Sequence, residues 1–469
     1  MMAIRFDYNA ALADVAGPKH GVTMKALEAL RPRAKTIHAE LLARRKSASL
    51  GFFDLPYDTA LVKEIKDYAA SLRKFENFVV LGIGGSALGP VCLHTALAHN
   101  YHNLAPAKAR GRWPRLFVLD NSDPEILVRL LEIINVRKTV FNVISKSGYT
   151  SETMAQFIVI VEMLKKKLGA RSLGKHLVAT TDVKKGLLRP FADANGMTSF
   201  VVPDNVGGRF SVFTAVGLLP AAVEGLPIGR ILAGAREMDK RCNTPDLMKN
   251  PAYLNAAIHY LADTRKGKHI SVMMPYSNAL KDVADWYRQL WAESLGKAVD
   301  TRGRTVHAGQ TPVKALGATD QHSQVQLYVE GPNDKVFTLV QVEEYRAPCR
   351  IPKRFKAIPE LGYLEGHDMA SLLNAELLAT EFALYKARRP SVRIILDAIT
   401  PENVGGLLYM LEVQTAFAGG LYGINAFDQP GVEEGKKATA ALMGRGRPED
   451  LKKAAEVRGF LKKKTHKAL

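Results

Sequence analysis

The stretch "FVVLGIGGSALGP" (residues 78–90) joins a short apolar run to a glycine-rich turn. A buried strand followed by such a turn is typical of α/β proteins, in which the turn leads into a helix whose free N–H groups bind phosphate. Four similar runs follow in the first half of the chain, "RLFVLDN", "VFNVISKS", "HLVATTD" and "SFVVPDN". Helical patterns separate these runs, so we predict an α/β fold with a mainly parallel sheet.

The second half of the chain has the same alternation of strands and helices. The runs "HISVMMPYS" (269–277) and "SVRIILDAI" (391–399) predict strands. The segment "VQLYVEGPNDKVFTLVQV" (325–342) predicts two strands around a Gly-Pro-Asn-Asp turn. The polar stretch near 240–268 indicates a boundary between the halves. We therefore predict four regions: a mostly helical lead over 1–70, α/β domains over 71–245 and 246–420, and a C-terminal extension over 421–469.

The formal net charge of +19 raises the question of a nucleic-acid partner. The basic residues are scattered, and their two tightest runs, 165–167 and 462–464, are expected to be solvated surface. The sequence has neither zinc-ligand spacing nor an RNP-type aromatic signature. We therefore expect no nucleic-acid partner.

The cysteine content and the hydropathy of the sequence indicate the cellular compartment of the protein. Its three cysteines, Cys92, Cys242 and Cys349, are far apart, which fits a reducing compartment and argues against disulfides or a zinc site. The N-terminal residues lack the apolar core of a signal peptide. The most membrane-like stretch, 404–423, contains Glu412 and Gln414, so we predict a buried helix that ends in a Gly-Gly turn. We expect a soluble cytoplasmic protein with no membrane partner.

Two nucleotide-binding interpretations of the glycine-rich turn are disfavoured. Gly82, Gly84 and Ala87 match G-x-G-x-x-A, but the acidic partner expected about 20 residues later is missing, because Asp120 comes too late. A phosphate-binding loop of the Walker type is also absent. The segment "GVEEGKK" (431–437) has one residue too few between its glycines and no Ser or Thr after its lysine.

A second strand–loop–helix junction, "NVISKSGYTSETM" (142–154), favours a phosphate cradle. Ser145, Ser147, Thr150 and Ser151 supply hydroxyl groups, and the helix start supplies free N–H groups. The alternative is simple helix capping, for which one such residue is enough. Four hydroxyl groups around a lysine and a glycine exceed what a cap needs, so we predict phosphate binding here.

Four further motifs carry candidate catalytic groups. In "NVGGRFSVFTAVGLLP" (205–220), Arg209 follows two glycines, and in "DWYRQLWAESLGK" (285–297) Gln289 and Glu293 are four residues apart on one helix face. Glu293 is a candidate general base, and the alternative is a surface glutamate paired with Lys297.

The other two motifs supply a histidine and a lysine. In "GATDQHSQVQLYVEGPND" (317–334), His322 lies in a polar loop before a predicted strand, and histidine exchanges protons near neutral pH. In "NAFDQPGVEEGKKAT" (425–439), Lys436 follows Gly435. Considered alone, Lys436 is better explained as a surface lysine.

Together these six motifs resemble the glucose-6-phosphate isomerase (phosphoglucose isomerase) family, particularly its compact bacterial forms. They follow that family's order and extend from about residue 82 to 437. The resemblance implies two sugar-isomerase (SIS) domains, each an α/β/α sandwich, and a homodimer with its active sites at the interface. It also implies that the histidine reaches the site from the partner subunit.

The resemblance further implies roles for individual residues. Glu293 would be the catalytic base, His322 and Lys436 the ring-opening pair, and Arg209 the residue beside the enediol intermediate. The substrate contacts would come from Gly85, Ser86, Ser145, Lys146, Ser147, Gly148, Tyr149, Thr150 and Gln289. Within this set, Ser145, Ser147 and Thr150 would hold the phosphate. Tyr149 departs from the family, which usually has a smaller Thr or Phe there.

The implied reaction converts D-glucose 6-phosphate into D-fructose 6-phosphate and requires neither a metal nor a redox cofactor. The first alternative is a non-catalytic sugar-phosphate-binding regulator of the SIS type, which would not need Glu293, His322, Arg209 and Lys436 together. The second is a dinucleotide oxidoreductase built on residues 82–87. The third is an extracellular signalling role, for which the sequence has no export signal.

Overall fold

The computed structural model describes residues 2–355 and 357–464, which form two compact units, 2–426 and 427–464. Twelve strands lie within these described residues: β1 Ile4–Asp7, β2 Asn77–Leu81, β3 Arg115–Leu119, β4 Thr139–Ser145, β5 Leu177–Thr181, β6 Thr198–Val201, β7 Ile270–Pro275, β8 Lys297–Val299, β9 Thr305–Ala308, β10 Thr311–Lys314, β11 Lys335–Glu344 and β12 Ser391–Ala398.

The α-helices of the first unit are α1 Ala13–Ala16, α2 Met24–Glu28, α3 Arg31–Lys46, α4 Thr59–Ser71, α5 Gly85–Leu97, α6 Pro124–Ile133, α7 Ser151–Leu168, α8 Leu173–His176, α9 Leu188–Ala194, α10 Ala215–Val223, α11 Ile228–Cys242, α12 Pro251–Lys266, α13 Lys281–Leu295, α14 Val325–Glu330, α15 Pro359–Gly362, α16 Met369–Lys386 and α17 Pro401–Tyr422. The second unit contains α18 Glu433–Leu442 and α19 Pro448–Lys463, and an ion pair between Glu434 and Lys453 joins these two helices.

The first sheet has the strand order β3-β2-β4-β5-β6, and all its neighbouring strands are parallel. Every residue of β2, β4 and β5 is buried, as expected for strands that are covered on both faces. All five strands predicted in the first half are confirmed.

The second sheet has the strand order β1-β12-β11-β7-β10. Its strands are parallel except β1, which pairs antiparallel with β12 at the edge. β8 and β9 form a separate antiparallel hairpin. The predicted α/β class with mainly parallel sheets is confirmed. β1 was not predicted, because it lies in the segment that was expected to be mostly helical.

One predicted strand is wrong. Residues Val325–Glu330 form α14, so His322 precedes a helix and not a strand. Tyr328 is buried against Phe337, whereas Leu327 is exposed. A short apolar run fits a strand or a buried helical turn equally well by its pattern, and here packing against β11 selects the helix.

The apolar stretch near 404–423 is a buried helix, as predicted, but it ends later than expected. Gly419 and Gly420 lie inside α17, and the helix ends at Gly423 in the left-handed conformation. Among residues 2–355 and 357–464, none of the helices combines the length and apolarity that crossing a bilayer requires.

The polar segment near 240–268 contains a largely buried helix, α12. Asn250 caps its start by accepting a hydrogen bond from the backbone N–H of Tyr253 at 3.1 Å, and Gly267 ends it in the left-handed conformation. The division into domains at 70, 245 and 420 stays a prediction.

Helices α11 and α17 pack with their backbones in contact at two glycines. A side chain at Gly234 would lie 1.8 Å from the carbonyl oxygen of Glu402. One at Gly405 would lie 1.9 Å from the carbonyl oxygen of Ile231. Each helix therefore contributes one glycine, and the backbone of the other helix packs directly against it.

We expect the Gly405→Ala variant to be destabilised by about 1–3 kcal/mol, because its methyl group would force the two helices apart. Thermal or urea unfolding measures this. The matched control is Gly229→Ala on α11, where an added methyl group would meet only the flexible end of Lys66, at 3.5 Å. We expect the control to be neutral or stabilised by up to about 1 kcal/mol. Equal stability of the two variants would contradict the close helix contact.

Candidate active site

The glycine-rich turn after β2 lies against two other segments of the candidate site. Gly84 has φ 57°, and α5 begins at Gly85. A side chain at Gly85 would lie 2.2 Å from the carbonyl oxygen of Gly208, and one at Gly84 would lie 3.0 Å from Gln289 Nε2. Because glycine has no side chain, the turn can approach the Arg209 segment and α13 this closely.

Arg209 is buried, with 3% of its surface exposed. Its Nε donates to Ser294 Oγ at 2.7 Å, and its Nη2 donates to the carbonyl oxygen of Ala426 at 2.6 Å. Its Nη1 lies 3.3 Å from Glu293 Oε2. A guanidinium group is planar and permanently charged, so these acceptors fix both its position and its orientation.

Glu293 lies near the end of α13 with 33% of its side chain exposed. Its Oε1 accepts a hydrogen bond from Gln289 Nε2 at 3.1 Å, as their four-residue spacing on one helix face predicts. Lys297 Nζ donates to the backbone carbonyl oxygens of Glu293 at 2.6 Å and of Ser294 at 3.0 Å, which stabilises the helix end. The Glu293 carboxylate is thus held by Gln289 and Arg209 while part of it remains accessible.

The loop after β4 concentrates hydroxyl groups at a helix start. Ser145 Oγ accepts from the N–H of Gly148 at 3.1 Å and donates to Thr150 Oγ1 at 3.2 Å. Ser147 Oγ accepts from the N–H of Tyr149 at 3.2 Å. Gly148 has φ 66°, and α7 begins directly after Thr150. The predicted cradle is therefore a compact turn at the positive end of a helix dipole.

Lys146 links this loop to the Arg209 segment. Its Nζ donates to the carbonyl oxygens of Asp204 at 2.8 Å and Val206 at 3.0 Å. Burial lowers the pKa of Lys146. Val206 precedes the Gly207-Gly208-Arg209 turn, so one lysine side chain couples the hydroxyl-rich loop to the segment that carries the guanidinium.

The contacts described above join most of the residues that the sequence singled out. Gly85, Arg209, Gln289 and Glu293 are brought together through them, and Lys146 adds the loop from Ser145 to Thr150. Ser86 lies in the first turn of α5. Tyr149 has 61% of its surface exposed.

His322 and Lys436 have no part in those contacts. His322 is exposed at the end of a 3-10 helix, Thr319–His322, and its neighbour Gln321 donates to Tyr276 Oη at 2.8 Å and to Thr380 Oγ1 at 2.7 Å. In the second unit, Lys436 is exposed on α18 and pairs with Glu433 Oε1 at 2.8 Å.

Ser294, which accepts the hydrogen bond from Arg209 Nε, was not predicted as a site residue. It lies next to Glu293 in "AESLGK", but consecutive helix residues point in different directions, so the motif did not show their common partner. The carbonyl oxygens of Asp204, Val206 and Ala426 were also missed. A backbone acceptor leaves no signal in side-chain patterns.

Comparisons with known proteins identify relatives along nearly the whole chain. The phosphoglucose isomerase family model matches residues 64–456. A glucose-6-phosphate isomerase of Carboxydothermus hydrogenoformans is 50% identical over 457 residues, which are 95% of this chain and 95% of that protein.

Two solved structures are similar in fold. A hypothetical protein of Thermus thermophilus is 38% identical with a TM-score of 0.83, over 94% of this chain and 100% of that one. A glucose-6-phosphate isomerase of Chlamydia trachomatis is 23% identical with a TM-score of 0.80, over 98% of this chain and 92% of that one.

We expect the Ser294→Ala variant to lose about 1–3 kcal/mol of unfolding free energy, because the buried Arg209 Nε loses its acceptor. Denaturant unfolding measures the change. The control, Ser271→Ala on β7, removes an equally buried hydroxyl group that does not contact Arg209. If both variants lose the same amount, the Arg209–Ser294 hydrogen bond has no special contribution to stability.

Proposed function

This chain belongs to the phosphoglucose isomerase family, and we propose that it interconverts D-glucose 6-phosphate and D-fructose 6-phosphate through a cis-enediol intermediate. The observation that carries the proposal is the contact between a half-buried carboxylate, Glu293, and a buried, permanently charged guanidinium, Arg209. An isomerisation of this kind needs a base and a fixed positive charge at the same carbons.

We propose that Glu293 moves the proton. In the forward direction its carboxylate takes the proton from C2 of the opened sugar, the carbon–hydrogen electron pair becomes the C1–C2 double bond, and the C1 carbonyl electron pair moves to O1. The proton of the O2 hydroxyl passes to O1, the O2 electron pair forms the C2 carbonyl, and the same carboxyl group returns a proton to C1. One group serves both carbons because they are neighbours, and the hydrogen bond from Gln289 Nε2 holds the side chain towards them.

We propose that Arg209 stabilises the negative charge that develops on the enediol oxygens. Ser294 and the carbonyl oxygen of Ala426 orient the guanidinium before substrate arrives. Such a preorganised charge needs no rearrangement during the reaction. Arginine also keeps its own protons, so it does not compete with Glu293 for the transferred one.

We propose that Gly85, Ser86 and the loop from Ser145 to Thr150 bind the substrate, with Ser145, Ser147 and Thr150 at its phosphate. The support is the convergence of hydroxyl groups and helix-start N–H groups in one turn. Binding the distant phosphate orients the reacting carbons. Lys146, Gly148 and Tyr149 complete the loop, and Gln289 contacts the substrate as well.

Ring opening requires proton transfer to the ring oxygen, and we assign it to His322 and Lys436. His322 is exposed in the single chain, which supports a homodimer in which it enters the partner's site. For location we propose the cytoplasm, because the three cysteines are unpaired. The non-catalytic regulator is not favoured, because it gives no reason for the Glu293–Arg209 contact.

We expect the Glu293→Gln variant to lose turnover by about 10²–10⁴-fold, because an amide cannot act as the general base. A coupled assay for fructose 6-phosphate measures it. Glu162→Gln, at an exposed position of α7, is the matched control and should keep wild-type turnover. Near-normal turnover in Glu293→Gln would remove Glu293 from this role.

We expect Ser147→Ala and Thr150→Ala mainly to raise KM for glucose 6-phosphate, by about 10–150-fold for each lost hydrogen bond to a charged group. Steady-state kinetics on both sugar phosphates measure it. Ser172→Ala, beyond the far end of α7, is the control. A rise no greater than in the control would mean that the phosphate binds elsewhere.

We expect a mixture of the inactive variants Glu293→Gln and His322→Ala to regain activity when their subunits exchange. In a homodimer with shared sites, one site of each mixed dimer has both residues intact, so about a quarter of wild-type activity should return. The control is Glu293→Gln mixed with a Glu293→Gln, His322→Ala double variant, which has no intact site. Absence of recovery after demonstrated subunit exchange would contradict the proposed interface site.

A further inference from the structure

The four parallel strands of the second sheet, β10-β7-β11-β12, follow the same order as β3-β2-β4-β5 of the first sheet. In the first sheet β2 lies between β3 and β4, and in the second β7 lies between β10 and β11. The order of the parallel strands therefore reverses between β2 and β4, and likewise between β7 and β11. Ligands of open α/β sheets bind at the carboxyl ends of the strands beside such a switch point. In the first sheet, the proposed sugar-phosphate loops occupy that place.

A cavity of about 610 Å³ occupies the corresponding place in the second sheet. Ser277 and Asn278, which follow β7, line it together with Tyr345 and Arg346, which follow β11. Ile399, which follows β12, also lines it. Its volume lies within the range of roughly 300–1,000 Å³ that is usual for small-molecule sites.

Arg346 gives this cavity a positive charge. Its Nη1 donates to the carbonyl oxygen of Leu97 at 3.2 Å, which offsets the negative end of α5. In the part of the chain that the structure describes, no carboxylate forms an ion pair with Arg346. A guanidinium that lines a cavity without a counter-ion favours an anionic ligand with which it can form charge-assisted hydrogen bonds.

The other residues that line the cavity indicate the chemical character of that ligand. Ser277 caps a 3-10 helix, Asn278–Leu280, which continues into α13, so the helix start adds positive partial charge. The other lining side chains are mainly apolar or aromatic and include Leu97, Tyr101, Ala279 and Leu373. The cavity therefore combines one guanidinium group with mainly apolar walls.

We propose that this cavity is a second ligand site, which binds a small organic anion with an apolar or planar body, such as a phosphomonoester or a carboxylate. It is separate from the proposed sugar-phosphate site, because it lies at the other sheet. The proposal does not depend on the isomerase activity. No residue that lines the cavity belongs to the proposed catalytic or substrate-binding set.

The test uses phenyl phosphate and benzoate as probes and phenol as their uncharged counterpart, with the full chain in a calorimetric titration. We expect Arg346→Ala to raise the Kd of phenyl phosphate about tenfold or more, and phenol to bind at least that much more weakly than phenyl phosphate. Arg129→Ala is the control, because Arg129 is an exposed arginine paired with Glu132. A second variant, Ala347→Trp, fills the cavity from an exposed position and should also weaken binding.

The sugar-phosphate site is distinguished by Ser147→Ala and Thr150→Ala, which should leave phenyl phosphate binding at the second site unchanged. Hydrogen exchange on probe binding should slow at residues 277–281 and 345–347. Isomerase activity of Arg346→Ala, measured without probe, should stay within about twofold of wild type, as for a surface substitution. The proposal is overturned if no probe binds, if Arg346→Ala binds as wild type does, or if binding is lost in the Ser147 and Thr150 variants.

Discussion

The arrangement of this molecule depends on one buried cation. The Arg209 guanidinium has almost no exposed surface, so its hydrogen bonds must be satisfied by acceptors that the protein supplies. Those acceptors come from α13 through Ser294 and Glu293, and from the backbone that follows α17 through Ala426. A charge buried without these partners would cost several kcal/mol, and this cost ties three distant segments to one point.

Close backbone packing brings the other site segments to the same point. Gly85 packs against the carbonyl group of Gly208, and Gly84 packs near Gln289. Lys146 then joins the hydroxyl-rich loop to the backbone that leads to Arg209. The hydroxyl-rich loop and the carboxylate–guanidinium pair therefore lie on a common framework, as the proposed isomerisation of a phosphorylated sugar would require.

Helices α5 and α13 extend between the two sites proposed above. α5 begins at Gly85 in the candidate active site and ends at Leu97 beside the second cavity. α13 begins beyond Ser277, which lines that cavity, and carries Glu293 near its other end. A hydrogen bond between Thr95 and Asp282, at 2.5 Å, joins the two helices near the cavity. Both sites are therefore built on the ends of the same rigid elements.

The sequence by itself determined what local periodicity and local hydrogen bonding control. The buried strands of the first sheet, the helix that places Gln289 and Glu293 on one face, and the hydroxyl-rich loop were all predictable, because each depends on residues a few positions apart. Tertiary structure alone decided that 325–330 is a helix, that β1 joins the second sheet, and that Ser294 and three carbonyl groups hold Arg209 and Lys146. These features depend on packing and on backbone acceptors from residues far apart in the chain, which side-chain patterns do not record.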